Sequence, residues 1–439
     1  MKKLYIETLG CQMNKSDSER ISGILSHFGY IETNEAKDAD LLIINTCSIR
    51  QLSEDKAYSR IGLWGKWKKI KPDLKIGFCG CVAQQERENI KKRAPYVDLI
   101  LGTSNIYQLP ELITRVNNNE KVIAVTQDST VTETKDAGIN RASGVNAWIP
   151  IIEGCNNFCT YCIVPFTRGR ERSRKPEDIF KEVKNAVNSG YKEITLLGQN
   201  VDSYGKDFND SKTTLANLLR LLNTIEDKFR IRFVTSYPTD ITDDLIDAVS
   251  ECDKVCEYFH IPMQSGNSEI LKIMNRKYDR EQYKSIVNKI RERFENVAIT
   301  SDFIAGFPGE TEEQFNDTLT IIDELGIDYS NTAAYSPREK TKAAKMKDLF
   351  ISEEVKKERL KLLNDKNKEA CLKSNKKFLG KIVEVLIEDK TEKNNQIIFT
   401  GRARNNKLVH FASNTAKIGD FTNVKIDKAQ TWCLYGKEQ

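Results

Sequence analysis

Hydrophobic positions along the first 125 residues fall into short runs separated by amphipathic stretches. KLYIET, DLLIIN, LKIGF, VDLIL and KVIAV have the length and β-branched content of strands. Helical periodicity begins near Ser16, Gln51 and Gln84. Strand and helix in alternation predict a doubly wound parallel sheet over residues 1–125. Residues 126–147 are rich in Thr, Ser, Asp and Gly, carry no apolar period, and read as a linker. The alternation resumes over 148–336 with WIPIIE, EITLL, IRFVTS, EYFHI, AITSDFIAGF and NTAAY as candidate strands. Pro176 stands where a first helical residue is expected, Gly190 where a helix stops, and Thr311 with Gln314 forms a capping box. Six such repeats in one direction predict a partial, open (β/α)6 barrel. Residues 337–370 are charged and helical. Over 371–439 the pattern turns to KIVEVLIE, QIIFTGRA, KLVHF and FTNVKID, a small all-β barrel or sandwich. The fold class is α/β with a C-terminal all-β domain.

Composition changes this picture in four ways. The chain has 439 residues, 39% of them hydrophobic, enough for the cores of two or three domains. No apolar run approaches a bilayer span, and MKKLYIETLG lacks the apolar core of a signal peptide, so a cytoplasmic protein without membrane attachment is expected. Eleven cysteines, an odd number, point to metal binding or catalysis in a reducing compartment. The net charge of +5 is unevenly placed. Residues 371–439 hold 13 Lys and Arg against 7 Asp and Glu, and the rest holds 55 against 56. A polyanion partner is expected at the C-terminal piece, although a merely solvated surface has the same charge.

The densest chemistry is EGCNNFCTYCIVP, in which Cys155, Cys159 and Cys162 have CxxxCxxC spacing. Thiolates this close can hold three irons of one 4Fe–4S cube, leaving the fourth iron open to a ligand. A structural zinc site would close with four donors, and no fourth His or Cys is near. Cys11, Cys47 and Cys81 lie far apart in sequence, yet each follows a predicted strand by one or two residues. The carboxyl ends of parallel strands share one edge of the sheet, so these thiols are expected to converge as a second cluster site. The alternative is three buried core thiols. Gly10 and Gly80 allow close backbone approach there, and Cys79, inside a strand, reads as structural.

CxxxCxxC with Tyr161 before the last cysteine resembles the signature of radical S-adenosylmethionine (SAM) enzymes. The phrases TLGCQMNKSDSE, CNNFCTYCIVPFTRGRERSR, HIPMQSGNSEILKIMNR, SDFIAGFPGET and YSPRE, in order along the chain, resemble the methylthiotransferase family. The resemblance implies an N-terminal auxiliary-cluster domain, a radical SAM core and a C-terminal TRAM domain. It implies two 4Fe–4S clusters and SAM as cofactors. One SAM would methylate a sulfur held at the auxiliary cluster, and a second would be cleaved to the radical that activates the substrate carbon. GCQMN resembles the branch that acts at C2 of N6-isopentenyladenosine beside the anticodon. The branches acting on threonylcarbamoyl-adenosine in tRNA or on a ribosomal protein aspartate are the alternatives. A non-enzymatic iron–sulfur redox sensor that binds RNA is more remote. SPREKTKAAK departs from the family's usual SPRPGT, and NTAAYS is more polar than its usual counterpart.

Gln199, Asn200, Ser236, Gln264, Ser265 and Asp302 fall at predicted strand ends, where a barrel places its chemistry, and are candidate SAM contacts. Gly306, Pro308 and Gly309 form a turn whose backbone is a candidate for packing against the adenine. His260 lies in an apolar strand and reads as a core histidine. No side chain is assigned as catalytic. Arg168, Arg170, Arg172 and Arg174 are candidate contacts to anticodon-stem phosphates; a solvated arginine-rich loop is the plainer reading. Arg402, Arg404 and Lys407 are the leading RNA contacts of the C-terminal domain. The expected partners are the anticodon stem-loop of tRNA, an electron donor such as a flavodoxin or ferredoxin, and an unknown sulfur donor. The chain is expected to act as a monomer.

Overall fold

The structure is a computed structural model describing residues 1–48, 51–126, 138–141, 144–208, 210–393 and 396–439. Most of the expected linker, 127–137 and 142–143, lies outside the described residues. The chain divides into two compact units. The first comprises 1–143 with 153–156 and 162–171; the second comprises 144–152, 157–161 and 172–439. Among the described residues no helix is long and apolar enough to cross a membrane.

The first unit is built on a parallel sheet ordered β2-β1-β3-β4-β5-β6. Its strands are β1 (Lys2–Leu9), β2 (Tyr30–Glu32), β3 (Leu41–Thr46), β4 (Lys75–Gly80), β5 (Leu99–Leu101) and β6 (Val122–Ala124). All five expected strands are present, and the short edge strand β2 is additional. β3 is buried at every position, which is why LLIINT is a continuous run instead of an alternating one. The helices are α1 (Gln12–Ser26), α2 (Gln51–Ile70), α3 (Cys81–Glu86), α4 (Glu88–Arg93) and α5 (Leu109–Asn117). Ile21, Ile24 and Leu25 of α1 and Leu112, Ile113 and Val116 of α5 pack on one face of the sheet. Ala57, Ile61 and Trp64 of α2, Val82 of α3 and Ile90 of α4 pack on the other. Covering both faces is what the near-continuous apolar strands require.

The second unit opens with β7 (Asn146–Pro150). The two-residue strands β8 (Ile152–Glu153) and β9 (Arg172–Ser173) stand either side of the cysteine loop in sequence, whose short helix α6 (Val164–Thr167) belongs to the first unit. The barrel strands are β7, β10 (Glu193–Leu197), β11 (Arg230–Phe233), β12 (Tyr258–His260), β13 (Ala298–Ala305) and β14 (Tyr329–Ala334), all parallel. An isolated bridge between Ile231 and Val255, with the Cys256 amide donating to the Ile231 carbonyl, joins the two three-stranded halves. The order β7-β10-β11-β12-β13-β14 is the expected open barrel. Helices α7 (Pro176–Asn188), α8 (Leu215–Asn223), α9 (Asp243–Glu251), α10 (Ser268–Ile273), α11 (Arg280–Arg293) and α12 (Glu312–Glu324) alternate with the strands. Pro176 is the first residue of α7, and Thr311 and Gln314 cap α12 reciprocally.

The long helix α13 (Glu353–Lys376) packs on β14 and explains the polarity of NTAAYS. The Ser330 amide donates to Asn367 Oδ1 at 2.8 Å, and Thr332 Oγ1 donates to Asn364 Oδ1. The strand is polar because the helix covering it presents amides. After α13, β15 (Ile382–Lys393), β16 (Gln396–Ala403), β17 (Leu408–Ala412), β18 (Phe421–Ala429) and β19 (Leu434–Glu438) close into a small barrel ordered β15-β16-β17-β19-β18. Val385, Phe399, Phe411, Val424 and Leu434 fill it.

This small barrel is bonded to the start of the large one. Arg230 donates to the carbonyls of Arg402 and Glu384 at 2.8 and 3.0 Å. Arg232 donates to the Arg404 carbonyl at 2.8 Å while pairing with Glu193 at 3.0 Å, and both side chains of that pair are buried. Arg404 in turn grips Glu257 with two nitrogens at 2.9 and 2.7 Å and reaches the carbonyls of Asp253 and Val255.

Candidate metal centres

Leu9, Thr46 and Gly80 stand in one row at the carboxyl ends of β1, β3 and β4, which are neighbours in the sheet. Cys47 and Cys81 are the next residues, and Cys11 follows Leu9 by two. Neighbouring strands lie about 4.8 Å apart, so strand order alone gathers the three thiols at one edge. Cys11 is the cap residue of α1, and its amide donates to Asn14 Oδ1 at 3.3 Å. The buried Asn14 donates from Nδ2 to Asn45 Oδ1 and to the Thr46 carbonyl, both at 3.1 Å. Asn45 returns a bond to the Asn14 carbonyl at 2.8 Å. The Asn of GCQMN therefore ties the first cysteine to the strand that delivers the second. Gly80 has φ +94°, and a Cβ there would sit 2.4 Å from Asn45 Oδ1 and the Thr46 carbonyl. Only glycine fits that approach.

The thiols feel one another. A hydrogen bond with Cys47, helped by the charge of Arg168, outweighs burial and pulls Cys11 down to about 6. Burial pushes Cys81 up, against the pull of Arg168. Arg168 is itself buried, with Nη2 at 2.5 Å from Asp17 Oδ2. Cys79, in β4, faces the hydrophobic core and is pushed far up by burial, as a structural thiol should be.

The CxxxCxxC loop is anchored from each unit separately. In the first, the Cys155 amide donates to the Gly169 carbonyl at 3.1 Å. Gly154, at φ +82°, has no room for a Cβ, which would lie 2.0 Å from the Arg170 carbonyl. In the second, Thr160 donates from its amide to Met274 and from its hydroxyl to Ile273. Asn275 Nδ2 reaches the carbonyls of Asn157 and Phe158 at 3.2 and 3.0 Å. Ala343, in the unusual SPREKTKAAK segment, donates its amide to the Thr160 carbonyl at 2.8 Å and is fully buried. The segment thus braces the loop despite its altered sequence. Arg276 Nη1 donates to Cys159 Sγ at 3.4 Å.

Both cysteine sets fit an iron–sulfur cube. Each offers three thiols on backbone held from behind, with a buried arginine beside at least one sulfur. Among the described residues no three His, Cys, Asp or Glu groups crowd one point as a mononuclear ion requires. A cube needs a different layout, one thiolate at each of three separate corners.

The six candidate SAM contacts are distributed unevenly. Gln199 and Asn200 follow β10, Ser236 follows β11, and Gln264 and Ser265 follow β12, as expected. Asp302 is in the middle of β13, not at its end, and is held by His260 Nε2 at 3.3 Å and Asn331 Nδ2 at 2.9 Å. Burial opposes its charge, but His260 and Asn331 hold the Asp302 carboxyl below its ordinary value. His260 also contacts Thr300 Oγ1 at 2.9 Å, so it belongs to a polar network, not to an apolar core. Gln264 adopts φ +78° while bridging to Phe303, a strained backbone of the kind that gathers at binding sites. Ser265 is fully buried and accepts from the Asn267 amide, which makes it a turn residue. Asn200 Nδ2 donates to Asp240, and Ser236 Oγ to Asp202.

Two expectations for RNA-binding arginines are corrected. Arg168 and Arg174 are internally spent, the first on Asp17 and the second on the Pro150 carbonyl and Glu182 at 2.7 Å. Of the four, Arg170 is the exposed one. Arg402, Arg404 and Lys407 belong to the seam with the large barrel. Arg402 lies 3.3 Å from Glu388, and Arg404 is paired with Glu257. Lys407 reaches Ser374 at 2.7 Å and Asn375 at 3.0 Å, and burial pushes its ammonium below the usual range. Alternation puts Arg402 and Arg404 on one face, but there Arg404 meets Glu257 of the large barrel and Arg402 pairs with Glu388 of its own barrel.

Residues 149–322 match the Radical SAM superfamily, 3–102 match Uncharacterized protein family UPF0004, and 376–437 match the TRAM domain. The tRNA-2-methylthio-N(6)-dimethylallyladenosine synthase of Acetivibrio thermocellus is 48% identical over 438 residues, covering 99% of this chain and 91% of that protein. The synthase of the same name from Clostridium tetani is 48% identical over 436 residues, covering 99% and 96%. In fold, the chain is similar to the radical SAM methyltransferase TsrM of Kitasatospora setae, at TM-score 0.57 and 12% identity, covering 78% of this chain and 77% of that one. The cobalamin-dependent SAM radical enzyme OxsB is similar at TM-score 0.54 and 14% identity, covering 82% and 56%. With its three matched regions in order and nearly half its residues shared across the full length, the chain belongs to the tRNA-2-methylthio-N(6)-dimethylallyladenosine synthase family of radical SAM methylthiotransferases.

Proposed function

We propose that this chain inserts a methylthio group at C2 of N6-isopentenyladenosine next to the anticodon of tRNA. The observation that carries the reading is the gathering of Cys11, Cys47 and Cys81 on three adjacent strand ends, apart in sequence from a complete CxxxCxxC loop. Hydrogen abstraction alone asks for one cluster; sulfur insertion asks for a second place that can hold sulfur.

In this reading residues 1–125 are the auxiliary-cluster domain, 126–147 the linker, 148–370 the radical SAM core and 371–439 the TRAM domain. Cys155, Cys159 and Cys162 hold one 4Fe–4S cluster, and Cys11, Cys47 and Cys81 the other. Bound there with SAM, the clusters supply one-electron reduction and a sulfur-binding iron. The chain's own residues orient and exclude. Asn14 fixes the Cys11 turn, and Thr160 and Asn275 fix the Cys159 turn. Gln199, Asn200, Ser236, Gln264, Ser265 and Asp302 remain the SAM candidates. Gln264 and Asp302 lead, because strain marks one and the His260–Asn331 network orients the other. The exposed Lys417, Lys425, Lys428 and Lys437 of the small barrel replace Arg402, Arg404 and Lys407 as phosphate contacts. The anticodon stem-loop offers its splayed bases to such a site. A flavodoxin or ferredoxin supplies electrons, and the protein works as a cytoplasmic monomer.

The test uses full-length protein reconstituted anaerobically with iron and sulfide, then reduced with SAM and tRNA. Nucleoside mass spectrometry should show the methylthio product on isopentenyladenosine tRNA and none on threonylcarbamoyl-adenosine tRNA. Product on the second substrate alone would reassign the branch. Cys155→Ala should abolish deoxyadenosine release, whereas Cys47→Ala should keep it and lose methylthio transfer. Loss of both activities in Cys47→Ala, with the loop cluster intact, would remove the division of labour.

A further inference from the structure

Arg276 is 9% exposed, yet among the described residues it has no acidic partner. Its Nε donates to Tyr278 Oη at 2.6 Å, its Nη2 to the Pro262 carbonyl at 2.6 Å, and its Nη1 to Cys159 Sγ at 3.4 Å. The guanidinium lies against two aromatic rings that meet edge to face, 4.4 Å from the centroid of Tyr237 and 5.0 Å from that of Tyr278. Among the described residues no carboxylate stands within ion-pair distance of it; Asp302 feels its charge but is bonded to His260 and Asn331. Three other buried arginines of the same unit each have a carboxylate: Arg230 has Glu384, Arg232 has Glu193, and Arg359 has Glu310. A buried cation left without an anion is strongly disfavoured. Two ionisable groups touch Arg276: burial pushes the Tyr278 phenol far up and keeps it neutral, which leaves the Cys159 sulfur as the counterion.

We propose that Arg276 is a positioning residue whose counterion is the Cys159 thiolate of the loop cluster, and that it thereby sets that cluster's reduction potential. A charge-assisted hydrogen bond to a ligand sulfur draws off electron density and favours the reduced cluster, so it raises the potential. The rings of Tyr237 and Tyr278 hold the guanidinium plane, and the Pro262 carbonyl fixes its far edge, so the donor stays aimed at one sulfur. The inference rests on Cys159 being a cluster ligand.

The experiment uses full-length protein carrying Cys11→Ala, Cys47→Ala and Cys81→Ala, so that one cluster reports. Iron analysis after reconstitution should give about four irons per chain. A chain without iron would overturn the ligand reading itself and not the role of Arg276. On this background, the midpoint potential is read by electron paramagnetic resonance for Arg276, Arg276→Lys and Arg276→Met. The midpoint should move to more negative values in Arg276→Met, with Arg276→Lys between the two. An unchanged midpoint in both variants, with iron retained, overturns the proposal. If a variant loses iron, circular dichroism of the metal-free protein decides. An unchanged spectrum supports the proposal, because the cluster alone has lost its hold; a changed spectrum marks Arg276 as structural and overturns it.

Discussion

Cys79 and Cys81 are two residues apart and have opposite fates. Cys79 points from β4 into the core shared with α1 and α5, where burial keeps its thiol protonated. Cys81 opens α3 at the sheet edge, under the charge of Arg168. Cys11 goes further, and its thiol falls to about 6. Its folded value lies below the ordinary thiol value, so the metal-free protein holds a Cys11 thiolate at neutral pH and loses it as pH falls through about 6. In metal-free protein, alkylation of Cys11 followed by mass spectrometry against pH should therefore have its midpoint near 6. Arg168→Met should move it up by removing a positive charge. Asp17→Asn should move it down by leaving Arg168 unneutralised. A wild-type midpoint in the usual thiol range would refute this account.

Strands and helices carry their signals locally, and this is why most of the elements were legible. β-branched runs marked most of the strands that formed the three sheet systems, and Pro176 and Thr311 marked helix starts where they occur. β2 has three residues, and β19 reads LYGKE, too short or too polar to show a period. The convergence of Cys11, Cys47 and Cys81 was legible because strand ends are a sequence property, and the CxxxCxxC loop because its spacing is. Arg276, Asn331 and the seam around Arg404 were not, because each depends on a partner distant in the chain. Asp202 shows what such a partner does to a turn. It lies in the 3₁₀ turn after β10, where burial raises its carboxyl to about 7 despite the Ser236 hydroxyl. A folded value above the unfolded one near 4 means that stability drains away as pH rises from about 4 to about 7. Asp202→Asn should therefore melt higher than the parent at pH 8, with the gain shrinking at pH 5. A gain that is equal at both pH values would show that Asp202 is not held protonated.

For the molecule as a whole, the C-terminal barrel is bonded to the large barrel through Arg230, Arg232 and Arg404. Glu193→Ala would leave Arg232 buried without its carboxylate and should cost about 3–5 kcal/mol in chemical denaturation. A loss under about 1 kcal/mol would show the pair is not structural. The small barrel also carries the exposed Lys417, Lys425, Lys428 and Lys437. Replacing Lys417, Lys425 and Lys437 with Ala should weaken tRNA binding and flatten its salt dependence by roughly 0.7–0.9 in log–log slope for each phosphate no longer neutralised. Arg402→Ala should leave that slope unchanged, and the opposite pattern would restore the arginine reading. The placement of the cysteines also bears on how the protein is made. Cys155, Cys159 and Cys162 leave the ribosome within eight residues of one another, whereas Cys11, Cys47 and Cys81 span 71 residues and meet only when β1, β3 and β4 have paired. Parallel pairing across helical crossovers is slow. The proposed loop centre is therefore a property of a peptide, and the proposed sheet-edge centre a property of a finished sheet. Iron supplied during refolding should reach the loop first, and should reach the second site only in step with the far-ultraviolet signal of the sheet.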